Sequence, residues 1–77
     1  MRERIKNVMA ELWGLPVQQI PDNASPDVLA QWDSIAHLQL LLALEMEFEV
    51  QFPSEEMGKL LSLDTLENHL AARVATA

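Results

Sequence analysis

The 77-residue sequence has no cysteine and no tyrosine, only two histidines and two glycines, and five lysine or arginine residues. Each shortage excludes something. Without cysteine there is no disulfide staple and no thiolate metal site. His37 and His69, set among scattered carboxylates, show no ligand spacing, so no metal site is expected. Twelve acids against five cations give a net charge of −7. That excludes the basic patch that nucleic acid needs, and it disfavours an anionic membrane surface. There is no apolar run of about 18 residues, so no membrane span is expected. The opening MRERIKNVMAELW mixes charges into a helical pattern, unlike a signal peptide, and the cytoplasm is the expected compartment.

What is present suits one small domain over residues 1–77, expected as a monomer. A chain this short buries only about 60–65% of its unfolded surface. Its 49% apolar content is enough for a helical unit. Its acidic surface favours attraction to basic partner surfaces.

Ile5, Val8, Met9, Leu12 and Leu15 recur at helical spacing and predict a first helix over 2–13, with Gly14 as its stop and Pro16 beyond. Arg2, Arg4 and Lys6 sit at the wrong end for the helix dipole, which predicts fraying there. Residues 15–32 hold three prolines among Asp, Asn and Ser and read as a long loop. Long loops in small domains are often functional. Ile20, Val28, Leu29 and Trp32 are its expected anchors, with a short helical turn over 26–31. Residues 34–48 lack Gly and Pro and are the strongest helix. Val50–Phe52 read as extended. Ser54 is the expected cap of a short helix over 55–60, weakened by Gly58. Leu63, Leu66, Leu70 and Val74 predict a last helix capped near 62–64. No segment reads as paired strands. The expected fold is all-α, a small bundle of three main helices plus a short third one, with a long loop between the first two.

The second helix is more apolar than one buried face requires. One stripe, His37, Leu38, Leu41, Leu44, Glu45 and Phe48 with Leu40 on its flank, reads mostly as core. A second, Ile35, Gln39, Leu42 and Met46, is expected to be partly exposed and to mark a partner surface. Ser34 precedes it. From periodicity alone Ser34 is an ordinary helix cap. Asp33 can do that work instead, leaving the serine hydroxyl free in the first turn. There a phosphate ester would meet unpaired N–H groups and the positive end of the dipole.

Asp33-Ser34-Ile35 resembles the Asp-Ser-Leu motif of acyl carrier proteins. The stretch DSIAHLQLLLALEMEFEVQFP resembles that family's second helix, its Leu-Glu-x-x-Phe ending and the proline after it. SEEM and LDTLENHL resemble its third and fourth helices. Length, acidity, absence of cysteine and the long first loop agree, so the resemblance spans nearly the whole chain. It implies a non-catalytic carrier. Ser34 would bear 4′-phosphopantetheine as a phosphodiester, installed by a phosphopantetheinyl transferase. The arm's thiol would hold acyl groups as thioesters for acyl-loading and acyl-processing enzymes. Asp33 would serve capping and transferase recognition. Ile35, Ala36, Gln39, Leu42, Glu45 and Met46 would form the partner surface.

The sequence also departs from the family. Carriers of fatty acid synthesis have acids just after the motif, where this chain has Ala36 and Gln39; its acids come later, at Glu45, Glu47 and Glu49. Apolar docking, and a specialised lipid or secondary-metabolite pathway, is therefore expected. A peptidyl carrier would use the same serine, but the Gly-Gly-His/Asp-Ser pattern is absent. A helical interaction module without cofactor shares the fold. A Ser34–His37 hydrolase lacks an orienting acid, an oxyanion hole and room for a pocket. His37 and Trp13 read as edges of the core, and Trp32 as a loop anchor. The glutamates read as a solvated face. Leu60, Leu61 and Leu63 read as core, or as walls of an acyl pocket between the second and fourth helices.

Overall fold

A computed structural model describes residues 1–74; the side chain of Val74 lies outside the described residues. Among the described residues four α-helices follow one another: α1 (Arg2–Trp13), α2 (Ser34–Phe48), α3 (Ser54–Met57) and α4 (Leu63–Val74). No strand occurs among the described residues. The expected all-α bundle, with a long loop after its first helix, is the observed fold.

Helix ends follow local chemistry. Gly14 ends α1 at φ 65°, ψ 35°, a left-handed geometry that glycine adopts without a Cβ clash. The N–H groups of Gly14 and Leu15 both return to the Ala10 carbonyl. Ser62 and Thr65 cap α4 reciprocally: each backbone N–H donates to the other's hydroxyl oxygen at 3.1 Å. The third helix differs from expectation. It begins at Ser54 itself, which makes no capping bond, and Gly58 stops it after a single turn. Pro53 sets the entry angle, so the serine falls inside the helix.

The core gathers Ile5 and Met9 from α1, Leu40, Leu41, Leu44 and Phe48 from α2, and Leu63, Leu66 and Leu70 from α4. Ile20, Ala24 and Trp32 fill it from the loop. Val28 is not an anchor: it is exposed, and Leu29 is only partly buried. Ala24 does the anchoring instead, fully buried, with its carbonyl accepting the Leu63 N–H at 2.9 Å. Residues 17–19 form a short 3₁₀ turn, and the expected helical turn near 26–31 is present as hydrogen-bonded turns, with the Leu29 N–H on the Ser25 carbonyl at 2.9 Å.

The cationic start of α1 is not a frayed end. Arg2 binds Asp64 and, at 2.8 Å, Glu67, so it ties α1 to α4. Arg4 binds Glu47 of α2 at 3.1 Å and lies over the Phe48 ring at 4.3 Å. Lys6 reaches Asp22 of the loop at 2.6 Å. These tertiary partners offset the unfavourable position on the dipole. The Lys6 ammonium in turn holds the Asp22 carboxyl below its usual range.

Candidate functional site

The loop delivers the chain to α2 through Asp33, which is extended at φ −95°, ψ −174°. Asp33 Oδ1 accepts the Ala36 N–H at 2.8 Å, and the Asp33 carbonyl accepts the His37 N–H, also at 2.8 Å. Asp33 is therefore the cap, and Ser34 is the first helical residue. Ser34 is exposed, and no hydrogen bond among the described residues engages its hydroxyl. The backbone N–H groups of Ser34 and Ile35 have no partner inside the helix. An anion attached at Ser34 Oγ would meet those N–H groups and the positive end of α2.

Beside Ser34 opens a cavity of about 430 Å³, lined by Pro26, Trp32, Asp33, Ser34, His37 and Leu61. Its floor is held by hydrogen bonds. Buried Trp32 donates from Nε1 to His37 Nδ1 at 3.0 Å, and His37 Nε2 lies 2.8 Å from the Met57 carbonyl. An indole N–H only donates and a carbonyl only accepts. The network thus places the imidazole proton on Nε2, with Nδ1 as the acceptor. The Trp32 and His37 rings stack at 6.0 Å, and Trp13 tilts against Trp32 at 5.8 Å. One histidine therefore joins the loop, α2 and the end of α3 around the serine. Its acceptor nitrogen is already bonded, so it is not placed as a base for Ser34.

Beyond Ser34 the exposed face of α2 is apolar. Ile35 is 72%, Leu42 51% and Met46 82% exposed, with Gln39 exposed among them, as the second stripe requires. Leu38, read as core from the sequence, is 53% exposed and joins this face, as does Leu61. Two other expected surface residues do not. Ala36 is 8% exposed and packs inward. Glu45 is half-buried, and its carboxylate accepts the Phe52 N–H at 2.8 Å, fixing the chain after α2. The missed signal was the i, i+4 row Ala36–Leu40–Leu44–Phe48, which marks the true buried ridge. Leu61, one of the leucines the sequence offers as a pocket wall, does line this cavity from the segment between α3 and α4. Pro26 as a wall had no sequence signal, because only the folded α1–α2 loop brings it to Ser34.

An exposed, unengaged hydroxyl at a helix N-terminus, beside an open and largely apolar cavity, fits a phosphodiester-linked arm. A family model described as a phosphopantetheine attachment site matches residues 3–70. The match takes in α1, α2, α3, the long loop and α4 as far as Leu70. Carrier domains of this kind are met by modifying enzymes and by processing enzymes. The chain belongs to the phosphopantetheine attachment-site family, the carrier domains that bear 4′-phosphopantetheine.

Proposed function

We propose that this chain is a single acyl carrier domain whose arm is attached at Ser34, and that it presents acyl groups to partner enzymes without catalysing their reactions. The observation that carries the reading is the capping bond from the Ala36 N–H to Asp33, which leaves the Ser34 hydroxyl exposed and unengaged. When attached, the arm supplies a terminal thiol that holds the acyl group as a thioester. The protein's own part is positional. The Ser34 and Ile35 N–H groups stabilise the phosphodiester charge. Trp32, His37 and Leu61 offer a wall along which an apolar segment can lie. Asp33 orients the serine and is the acid a transferase would read.

The character of α2 supports a specialised pathway of lipid or secondary-metabolite synthesis. Just after Ser34 the chain has buried Ala36 and neutral Gln39, flanked by exposed Ile35, Leu38 and Leu42. Partners near the serine would meet apolar contacts before charges. Among the described residues no helix is long and apolar enough to cross a membrane.

The test is intact mass after incubation with coenzyme A and a phosphopantetheinyl transferase. One arm added to the wild type and none to Ser34→Ala is the expected result. Failure with several transferases of broad specificity, or an arm on Ser34→Ala, would sink the assignment. Loading the arm with acyl and with aminoacyl groups then separates an acyl from a peptidyl carrier.

A further inference from the structure

A second concavity lies away from the serine. Between α1 and α2 runs an open groove of about 590 Å³, lined by Val8, Glu11, Leu12, Ala43, Met46 and Glu47. Ala43, the small residue of this lining, forms its floor, with Val8 and Leu12 on the α1 side and Met46 on the α2 side. Met46 stands almost fully in water at its edge, and Leu12 is exposed on the facing helix. Large apolar residues exposed on both sides of one concavity mark a surface that is covered in use. The groove residues of α2 lie nine to thirteen positions beyond Ser34. That is roughly 14–20 Å along the helix axis.

Charge identifies the occupant. Both polar residues lining the groove are acids. Arg4 partly neutralises Glu47. Glu11 has no ionic partner among the described residues. Four of the five cationic residues, Arg2, Arg4, Lys6 and Arg73, already sit in ion pairs, and of these pairs only that of Arg4 is to a groove residue, which leaves Glu11 as the groove's unpaired acid among the described residues. A second copy of this chain would bring acid to acid. A segment that offers apolar side chains flanked by lysine or arginine matches both the floor and the rim.

We propose that the α1–α2 groove docks a basic amphipathic segment of a partner protein, and that it does so while Ser34 remains free. An apolar side chain would seat over Ala43 between Leu12 and Met46, with a cation beside Glu11. Such a contact would tether the carrier without blocking its arm. The docking itself does not depend on which residue carries the arm, whereas its leaving the arm free rests on attachment at Ser34.

The test titrates isotopically labelled full-length chain with a short helical peptide of leucine and lysine, against a matched peptide of leucine and glutamate. Saturable amide shifts centred on Val8, Glu11, Leu12, Ala43, Met46 and Glu47 are expected with the basic peptide only. Leu12→Ser with Met46→Ser should weaken binding about tenfold or more, because both side chains lose their buried area. Glu11→Lys should weaken it and reduce its salt dependence. Ser34→Ala should bind as wild type, and saturating peptide should leave the rate of arm attachment unchanged. Thermal melts of the variants separate lost binding from lost fold. Shifts centred on Ile35, Leu38 and Leu61 instead, equal binding of the acidic peptide, or indifference to the Leu12 and Glu11 changes would overturn the proposal. So would sedimentation showing a dimer closed through this groove.

Discussion

Trp32 Nε1 donates to His37 Nδ1 across 3.0 Å, and this bond determines what the histidine can do beside Ser34. The indole N–H of a buried tryptophan needs an acceptor. His37 supplies it, and at its other nitrogen bonds the Met57 carbonyl. The residue is thereby a brace for the loop and α3.

His37→Ala should therefore lower stability by about 2–3 kcal/mol, since the Trp32 N–H is left buried without a partner. Urea unfolding followed by tryptophan fluorescence measures this. Arm attachment should persist at low denaturant. A variant that stays folded yet takes no arm would show that His37 acts on Ser34 after all.

The cap of α2 gives a second expectation. Asp33→Ala removes the acceptor for the Ala36 N–H and should cost about 1 kcal/mol, whereas Asp33→Asn should cost far less, because asparagine caps comparably. If arm attachment fails in Asp33→Asn while the fold is intact, the charge of Asp33 is what the transferase reads. Equal destabilisation in the two variants would contradict the capping account.

Glu49 closes α2 in a left-handed conformation, φ 55° and ψ 48°, the one non-glycine residue with positive φ among those described. Its side chain is exposed and also sits at the negative end of the helix. Glu49→Gly removes the Cβ strain and should stabilise the fold by about 0.5–1 kcal/mol, after the entropy glycine adds to the unfolded chain. A thermal midpoint that falls on this substitution would count against the strain.

Acid should weaken the fold through His69. Burial first, and then the Arg73 guanidinium, hold its imidazole below the usual range, with Glu56 pulling weakly the other way. Its Nε2 is buried without a hydrogen bond, and Phe52 packs on the ring at 5.2 Å. The folded state therefore binds the proton less readily than the unfolded state. Stability contributed here is present above about pH 6.5, the unfolded value, and declines as pH falls toward the lower folded value. Denaturation midpoints measured from neutral pH downward should show that slope, and His69→Leu should flatten it. An unchanged slope in the variant would place the acid sensitivity elsewhere.

Much of this protein was determined by local sequence. The ends of α1 and α2 fall where Gly14, Asp33 and the Gly- and Pro-free run of 34–48 put them, because caps and breakers act over a few residues. The same locality made the Asp-Ser pair legible as cap plus free hydroxyl. The tertiary structure decided what locality cannot. A helix that is apolar around most of its circumference gives periodicity little contrast, so packing alone turned Leu38 outward and Ala36 inward. Arg2, Arg4 and Lys6 looked misplaced on their own helix, yet their partners lie 16 to 65 residues away. His37 neighbours Ser34 by its i, i+3 spacing on α2, but Pro26 and Leu61 join them only because the α1–α2 loop and the segment after α3 fold back on α2, a juxtaposition that goes with burying Ala24 and Trp32.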